Sequence, residues 1–269
     1  MKVCVFVDVQ NLYHNGGRRL RYDVLRELAC RGGAEPVRLN AYAGLDAERA
    51  ERDASYRSGT RGFHHALREF GYKVIIKEVS WYTDDRGRKT GKANADVDLA
   101  VDALEQTAGC DRVLIASGDG DFCRLVQALQ RRGLRVEVLA LEGASARLQA
   151  EADVFVCGFL VPGLVPFEDE REPGAWGEIG SRVRGTCTWF DSEKGFGYIR
   201  YLKTVSDSLW ITDDRNPDSP WQTVFFHKSA LEDPSVEPRL PGGGLVLAFT
   251  LEQDEERTRA GRIGLVCKV

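Results

Sequence analysis

The stretch Arg112-Val-Leu-Ile-Ala-Ser-Gly-Asp-Gly-Asp-Phe122 contains the pattern that decides the fold. It begins as an apolar run of strand length and reaches Ser117-Gly118, a pair that is typical of turns. The acids Asp119 and Asp121 follow at once, and apolar residues then recur at helical spacing. We therefore expect a strand, a tight turn and a helix. The acids come where the strand ends, which is where open α/β sheets bind their ligands.

Asp119 and Asp121 have two interpretations. Asp is a favoured N-cap residue, so one of these acids can simply cap the helix that follows. Two ionised carboxylates this close repel each other, however, and a divalent cation between them would relieve the repulsion. The pattern of these two residues alone leaves both interpretations open.

Two further acids stand where they can join the same site. Val3–Val7 is a nearly continuous apolar run, typical of a strand buried in a parallel sheet, and it is followed by Asp8 and then Asn11. Asp96 stands near the start of a predicted helix that continues to about Ala108, where an acid also complements the positive helix end. We expect the strand-end and helix-start acids to converge at one site.

The pattern of the chain changes twice along its length. Strands and helices alternate over residues 1–160, which predicts a parallel α/β domain with right-handed βαβ connections. Residues 161–180 carry prolines, repeated glycines and an acidic cluster, and we interpret them as a linker. Residues 181–269 have an all-β pattern and form the predicted second domain.

The composition of the 269 residues, 43% hydrophobic and 29% charged, fits a globular protein. We find no signal-peptide core and no apolar run of membrane-spanning length. The seven cysteines are odd in number and widely spaced, which argues against a disulfide framework and a zinc site. We expect a cytoplasmic protein. A net charge of −4 provides no bulk attraction for phosphate backbones, so nucleic-acid binding would depend on local patches.

A basic segment at residues 81–94 precedes Asp96. A run of charge is usually just a solvated loop. Because this one leads directly into a predicted acidic site, we interpret it as a mobile loop that contacts the substrate backbone. Its basic residues are Arg86, Arg88, Lys89 and Lys92.

Aromatic residues in the C-terminal part are spaced for one face of a strand. Strand alternation places Phe196 and Tyr198 on the same face, close to Lys194. Exposed aromatic side chains beside lysine are typical of a stacking platform for unpaired bases. The alternative is an aromatic stripe in a core, but the glycines on either side of Phe196 disfavour it.

The first part of the chain resembles the NYN domain (LabA-like), a branch of the PIN-like ribonuclease superfamily. The matching pieces are Val-Phe-Val-Asp8-Val-Gln-Asn11, Lys92-Ala-Asn-Ala-Asp96 and Ser-Gly-Asp119-Gly-Asp121. Family members usually read Lys-Gly-Val-Asp in the middle motif, so this chain has one extra residue there. The resemblance implies a phosphodiesterase site that depends on Mg²⁺ or Mn²⁺. It implies Asp8, Asp96, Asp119 and Asp121 as metal ligands and catalytic residues, with Asn11 as a further catalytic residue.

Residues 181–269 resemble a cold-shock domain, a five-stranded OB-type barrel. Lys194-Gly-Phe-Gly-Tyr-Ile and Val224-Phe-Phe-His227 match its two RNP motifs. The segment 201–223 is far longer than the usual connection in the family, and it contains Trp210 and Trp221. The resemblance implies binding of single-stranded RNA, with single-stranded DNA as a second candidate. The residues implied are Trp189, Lys194, Phe196, Tyr198, Phe225 and His227.

Three functional hypotheses follow. The first is a metal-dependent ribonuclease that hydrolyses single-stranded RNA held by the second domain. The second is an RNA-binding regulatory protein whose nuclease site is weak or inactive, and it would carry the same acids. The third is a phosphatase of the haloacid-dehalogenase type. That chemistry needs a second acid two residues after the first, where this chain has Gln10.

Overall fold

The computed structural model describes residues 1–83, 89–92, 95–167, 175–254 and 257–269. The chain divides into two compact units. The first contains Met1–Arg18, Leu25–Ala140 and Ala144–Phe155, and the second contains Arg19–Val24, Leu141–Gly143 and Val156–Val269.

The chain as far as Cys157 alternates strands and helices. The strands are β1 (Lys2–Asp8), β2 (Glu35–Leu45), β3 (Lys73–Glu78), β4 (Ser80–Thr83), β5 (Lys89–Lys92), β6 (Arg112–Ala116), β7 (Arg135–Ala140) and β8 (Val154–Cys157). The helices are α1 (Val9–His14), α2 (Tyr22–Ala29), α3 (Ala47–Arg52), α4 (Ala54–Glu69), α5 (Ala95–Gln106), α6 (Cys123–Gln130) and α7 (Ala146–Glu151).

A six-stranded sheet in the order β3-β2-β1-β6-β7-β8 forms the centre of this fold. The ladders that join β3, β2, β1, β6 and β7 are parallel. Val3–Val7 of β1 are fully buried because β1 lies in the middle of the sheet. Side chains from β1 and β6 pack with those of α5 and α6 in one core. The predicted parallel α/β fold is confirmed.

The basic segment before α5 contains regular structure. β4 and β5 pair in antiparallel register from Ser80 opposite Lys92 to Thr83 opposite Lys89, where we expected a loop. Lys89 and Lys92 therefore lie at the two ends of β5. Arg86 and Arg88 lie outside the described residues.

A disulfide joins Cys4 of β1 to Cys110, which lies just before β6. This differs from the expectation that the chain has no disulfide framework. The cysteines are 106 positions apart, so their spacing in the sequence did not predict the pair. They come together because β1 and β6 are neighbours in the sheet.

The second unit contains a closed five-stranded barrel. Its strands are β9 (Arg182–Asp191), β10 (Phe196–Leu202), β11 (Trp221–His227), β12 (Leu245–Asp254) and β13 (Arg257–Lys268). The barrel order is β10-β11-β13-β12-β9, and β11 runs parallel to β13 while the other pairs are antiparallel. Its core includes the buried rings of Tyr201, Phe226 and Phe249. The barrel agrees with the predicted OB-type fold.

The first residues of the predicted linker pack within the second unit. Val161 and Leu164 are fully buried. The Arg184 guanidinium of β9 donates to the carbonyl of Val165 at 2.5 Å and lies 3.8 Å from the centre of the Phe167 ring. Burial lowers the pKa of Arg184 to about 10. The domain boundaries at 160 and 181 stay predictions.

Candidate active site and nucleic-acid interface

Asp8 lies at the carboxyl end of β1 and is held by two hydrogen bonds. Its Oδ1 accepts from the backbone N–H of Asn11 at 3.0 Å, which caps α1. Its Oδ2 accepts from the hydroxyl of Ser117 at 3.3 Å. Since Ser117 directly follows β6, the second bond joins the ends of two neighbouring strands.

The turn after β6 is closely packed against the segment before α7. The backbone N–H of Gly118 donates to Oδ1 of Asn11 at 2.8 Å, and its carbonyl accepts from the N–H of Ser145 at 2.9 Å. A Cβ atom on Gly118 would lie 3.2 Å from the Cα of Ala144. Glycine therefore allows the turn to approach the segment before α7.

Asp119 combines a capping role with a place at the strand ends. Its Oδ1 accepts from the backbone N–H of Asp121 at 2.9 Å and so caps the short 3₁₀ turn Gly120–Phe122. Its own N–H donates to the hydroxyl of Ser117 at 3.2 Å. The capping role therefore uses only Oδ1 of Asp119, and Oδ2 is the candidate oxygen for binding a metal ion.

Three of the predicted acids share one electrostatic environment. The pKa of Asp8 is raised above its usual value, chiefly because the carboxyl group is buried. Hydrogen bonds from Asn11 and Ser117 oppose the shift, whereas the negative charges of Asp96 and Asp119 add to it. The structure thus brings Asp96 of α5 and Asp119 of the turn close enough to Asp8 for their charges to act on it. Asp121 is not among the charges that raise this pKa.

The other acids of α5 have partners elsewhere. The Lys77 Nζ lies 2.5 Å from an Asp98 carboxylate oxygen. The Tyr42 hydroxyl donates to Asp102 at 2.8 Å, and burial together with this bond raises the pKa of Tyr42. Asp98 and Asp102 therefore belong to the contact of α5 with β2 and β3, whereas Asp96 is among the charges that raise the pKa of Asp8.

A groove of about 360 Å³ lies between α5 and α6, beside the acids. Asp96 and Asp121 both line it, together with Arg124 and a largely apolar wall. Arg124 was not among the predicted site residues, although it is the second residue of α6 and follows Asp121 by three positions, which was a usable signal. Asp121 is exposed and belongs to this groove.

Within the described residues, no group of three or more His, Cys, Asp or Glu side chains is arranged to hold a metal ion. The donor type nevertheless fits a hard divalent cation, because Mg²⁺ and Mn²⁺ favour carboxylate oxygens. The raised pKa of Asp8 comes chiefly from burial, and the charges of Asp96 and Asp119 add to it; a bound cation would relieve that repulsion. These two features make the Asp8, Asp96 and Asp119 carboxylates candidate ligands.

Four aromatic rings form a cluster on the outside of the barrel, which we call the aromatic platform: Trp189, Phe196, Tyr198 and Phe225. The ring of Trp189 lies 5.4 Å from that of Phe196 and 5.9 Å from that of Tyr198. Phe225 lies 5.7 Å from Phe196 and 6.1 Å from Tyr198. Three of the four are exposed by 38–45%, and Phe196 is half-buried. The rings therefore lie at the surface and do not form the core stripe of the alternative interpretation.

Gly197 shows why the platform strands can pack so closely. A Cβ atom at this position would lie 2.5 Å from the carbonyl oxygen of Trp189 and 2.7 Å from the ring of Phe226. The space is taken by the stack of the partly buried Phe190 on the buried Phe226, with ring centres 5.7 Å apart. Glycine thus lets the core rings pack directly beneath the exposed ones.

The two polar residues predicted for this surface lie at the same end of the barrel. Lys194 is 72% exposed at its side chain and lies 4.0 Å from Asp191. His227 is exposed, and its Nδ1 accepts from the backbone N–H of Ser229 at 3.2 Å. His227 pairs with Phe196 across β10 and β11, which places it beside the platform.

An open groove of about 1320 Å³ runs from the platform to β13. Tyr198, Phe225 and His227 line one side of it, and Arg257, Arg259 and Arg262 line the other. These arginines were not among the predicted binding residues. Their clustering within six residues, Arg-Thr-Arg-Ala-Gly-Arg, was the available signal.

Comparison with known proteins assigns the first part of the chain to a family. Residues 2–159 match the NYN domain. The chain belongs to the NYN domain family. This NYN protein is 28% identical over 152 residues to the "Low amplitude and bright protein LabA" of Synechococcus elongatus, a match that covers 54% of the chain and 77% of LabA.

Among solved structures, the NYN protein is similar to a protein of unknown function from Vibrio parahaemolyticus. The two are 32% identical, with a TM-score of 0.47, and the match covers 58% of this chain and 91% of the Vibrio protein. Among the described residues, we find no helix long and apolar enough to cross a membrane.

Proposed function

We propose that this NYN protein is a metal-dependent ribonuclease that hydrolyses phosphodiester bonds of single-stranded RNA, and that its barrel binds the same strand. NYN domains are generally ribonucleases. The observation that carries the proposal is the convergence of Asp8, Asp96 and Asp119, whose charges meet at the carboxyl ends of β1 and β6.

The carboxylates of Asp8, Asp96 and Asp119 would hold Mg²⁺ or Mn²⁺, with Asp121 beside them in the α5–α6 groove. Such an ion, when bound, activates a water for attack on phosphorus and neutralises the leaving oxygen. The protein holds Asp8 in place through Asn11 and Ser117. The side-chain oxygen of Asn11 accepts a hydrogen bond from the backbone N–H of Gly118. The side-chain N–H₂ of Asn11 can therefore donate to a phosphate oxygen.

The barrel supplies affinity through stacking in this proposal. Residues 181–269 carry 12 Lys and Arg against 13 Asp and Glu, so net charge does not attract the phosphate backbone. Each base stacked on an aromatic side chain contributes about 1–3 kcal/mol. The aromatic platform, with Lys194 and His227 at its end, therefore provides the principal binding surface for single-stranded RNA, as the resemblance to a cold-shock domain implies.

The two units have different tasks in this proposal. The acids that meet at Asp8 lie in the first unit and the platform lies in the second. Tethering two binding surfaces raises apparent affinity by roughly 10² to 10⁴ when both are occupied together. A cytoplasmic location is part of the proposal, because five of the seven cysteines are free although Cys4 and Cys110 form a disulfide.

The test is cleavage of labelled single-stranded RNA with Mn²⁺, with Mg²⁺ and with a chelator, by the full chain and by its Asp119→Asn and Asp8→Asn variants. We expect cleavage that requires a divalent ion and disappears in both variants, while their melting curves stay native. Full activity in either folded variant would refute the site assignment. Tight RNA binding without cleavage under every ion condition would favour the regulatory protein with an inactive nuclease site.

A further inference from the structure

The connection between β10 and β11 is much longer than a hairpin needs. Hairpin loops usually contain two to five residues, whereas residues 203–220 separate these strands. The ends of this insertion meet where the N–H of Lys203 donates to the carbonyl of Pro220 at 2.9 Å. The hairpin is therefore closed at its base, and the residues between are free to serve another purpose.

The middle of the insertion is tied to side chains of the barrel strands. The indole N–H of Trp221 donates to the carbonyl of Leu209 at 2.9 Å, and the Arg200 guanidinium donates to the carbonyl of Thr212 at 3.3 Å. Leu209 is buried, with 3% exposure. Trp210, between these two anchored points, is 62% exposed. The insertion thus presents one indole ring to solvent from an anchored backbone.

Trp221 and Arg200 share a face with the aromatic platform. Across β10 and β11, Tyr198 pairs with Phe225, Arg200 with Thr223 and Leu202 with Trp221. Alternate strand residues point to the same side, so this face continues from Tyr198 to Arg200 and from Phe225 to Trp221. The Arg200 guanidinium lies 5.4 Å from the centre of the Trp221 ring.

The charge of the insertion restricts what Trp210 can bind. Residues 203–220 contain Asp207, Asp213, Asp214 and Asp218 against Lys203 and Arg215. Arg215 is engaged by Asp213, with its Nε and Nη2 at 2.8 and 2.7 Å from the carboxylate oxygens. Negative charge disfavours contact with phosphates, while an exposed indole offers a flat face to any base. A base therefore fits this position better than the RNA backbone does.

We propose that Trp210 is an additional base-stacking position, supported by Arg200 and Trp221, for single-stranded RNA that extends beyond the aromatic platform. The inference rests on the proposed RNA binding by the barrel. It gives the insertion a role in setting the length of strand that the barrel binds. Short RNA would occupy the platform alone, and longer RNA would reach Trp210 as well.

The experiment measures affinity for oligouridines of about 4 and about 12 nucleotides, within the range that OB folds cover. The full chain carries Asp119→Asn in every variant, so that RNA is not cut. We expect Trp210→Ala to weaken binding of the long oligonucleotide by about 5- to 150-fold and to leave the short one unchanged. Trp210→Phe, which keeps a ring, should retain most of the affinity. Leu265→Ala removes an exposed apolar side chain from β13 and should change neither affinity.

Phe225→Ala separates the two levels of the proposal, because it should weaken binding of both lengths. If Phe225→Ala does so while Trp210→Ala changes nothing, or weakens both lengths equally, the additional position is refuted and RNA binding by the barrel stands. If the chain without barrel substitutions binds neither oligonucleotide, the inference and the proposed binding role of the barrel fail together. Since Trp210 is exposed, we expect its variants to keep the native melting curve.

Discussion

The side-chain oxygen of Asn11 accepts a hydrogen bond from the backbone N–H of Gly118 at 2.8 Å, across 107 positions of sequence. It joins the start of α1 to the turn after β6, so the two segments that carry Asp8 and Asp119 are held in one arrangement. The bond forms because β1 and β6 are adjacent parallel strands whose carboxyl ends meet at the same edge. Asn11 is thus a positioning residue as well as a candidate phosphate contact.

Asn11→Ala should lower both stability and turnover. Gly118 is buried, so in the variant its N–H would be left without a hydrogen-bond partner. An unsatisfied buried donor lowers the free energy of unfolding by about 1–3 kcal/mol. Chemical denaturation measures the free energy of unfolding. His14→Ala, an exposed change on the same helix, is the control and should shift stability by less than about 0.5 kcal/mol. Equal stability of the two variants would contradict the structural role of Asn11.

Asp96→Asn should abolish turnover and Asp98→Asn should preserve it, although the two residues are only two positions apart. Asp96 acts electrostatically on Asp8, whereas Asp98 pairs with Lys77 at the surface. We expect the first change to abolish ion-dependent cleavage and the second to preserve it. Losing a partly exposed ion pair costs only about 0–1 kcal/mol. Cleavage assays at saturating Mn²⁺ decide the matter, and loss of activity in Asp98→Asn alone would reverse our assignment.

Phe225→Ala and Phe226→Ala should separate binding from folding. Phe225 is 38% exposed on the platform, and Phe226 is fully buried in the barrel core. The first change should raise KM for RNA by the equivalent of about 1–3 kcal/mol and leave kcat unchanged. The second should cost about 3–5 kcal/mol of stability. Phe196→Ala should behave like Phe225→Ala, and unchanged KM in both would mean that these rings do not bind RNA.

His64 should make the protein less stable in mild acid. Burial, assisted by the positive charge of Arg68, lowers the pKa of His64 below its usual 6.5. Below pH 6.5 the unfolded chain therefore binds a proton at His64 that the folded chain does not bind. The stability present above pH 6.5 is lost as the pH falls toward the pKa of His64 in the folded protein. His64→Leu should reduce the loss of unfolding free energy between about pH 7.5 and about pH 5.5.

The neighbouring histidine provides the control for that measurement. The side chain of His65 is 73% exposed and lies 3.5 Å from Glu69 on the same helix. His65→Leu should therefore leave the acid-side loss of stability in place. A pH dependence that survives in His64→Leu and disappears in His65→Leu would contradict the role of burial.

Local patterns in the sequence determined much of this protein. The apolar runs ending at Asp8 and before Ser117 predicted two buried strands with acids at their ends, and both strands were found. The spacing of Phe196 and Tyr198 predicted one face of a strand, and both rings lie on the barrel surface. These features were accessible because strand and helix periods are properties of consecutive residues.

Only the tertiary structure decided which of these residues act together. Asp96 and Asp98 stand in the same helical turn, and packing of α5 on the sheet directs one toward Asp8 and the other toward Lys77. The attachment of the insertion through Arg200 and Trp221 likewise depends on contacts between separate segments. Such contacts come from side-chain volume and hydrogen-bond geometry across the core, and these have no period along the chain.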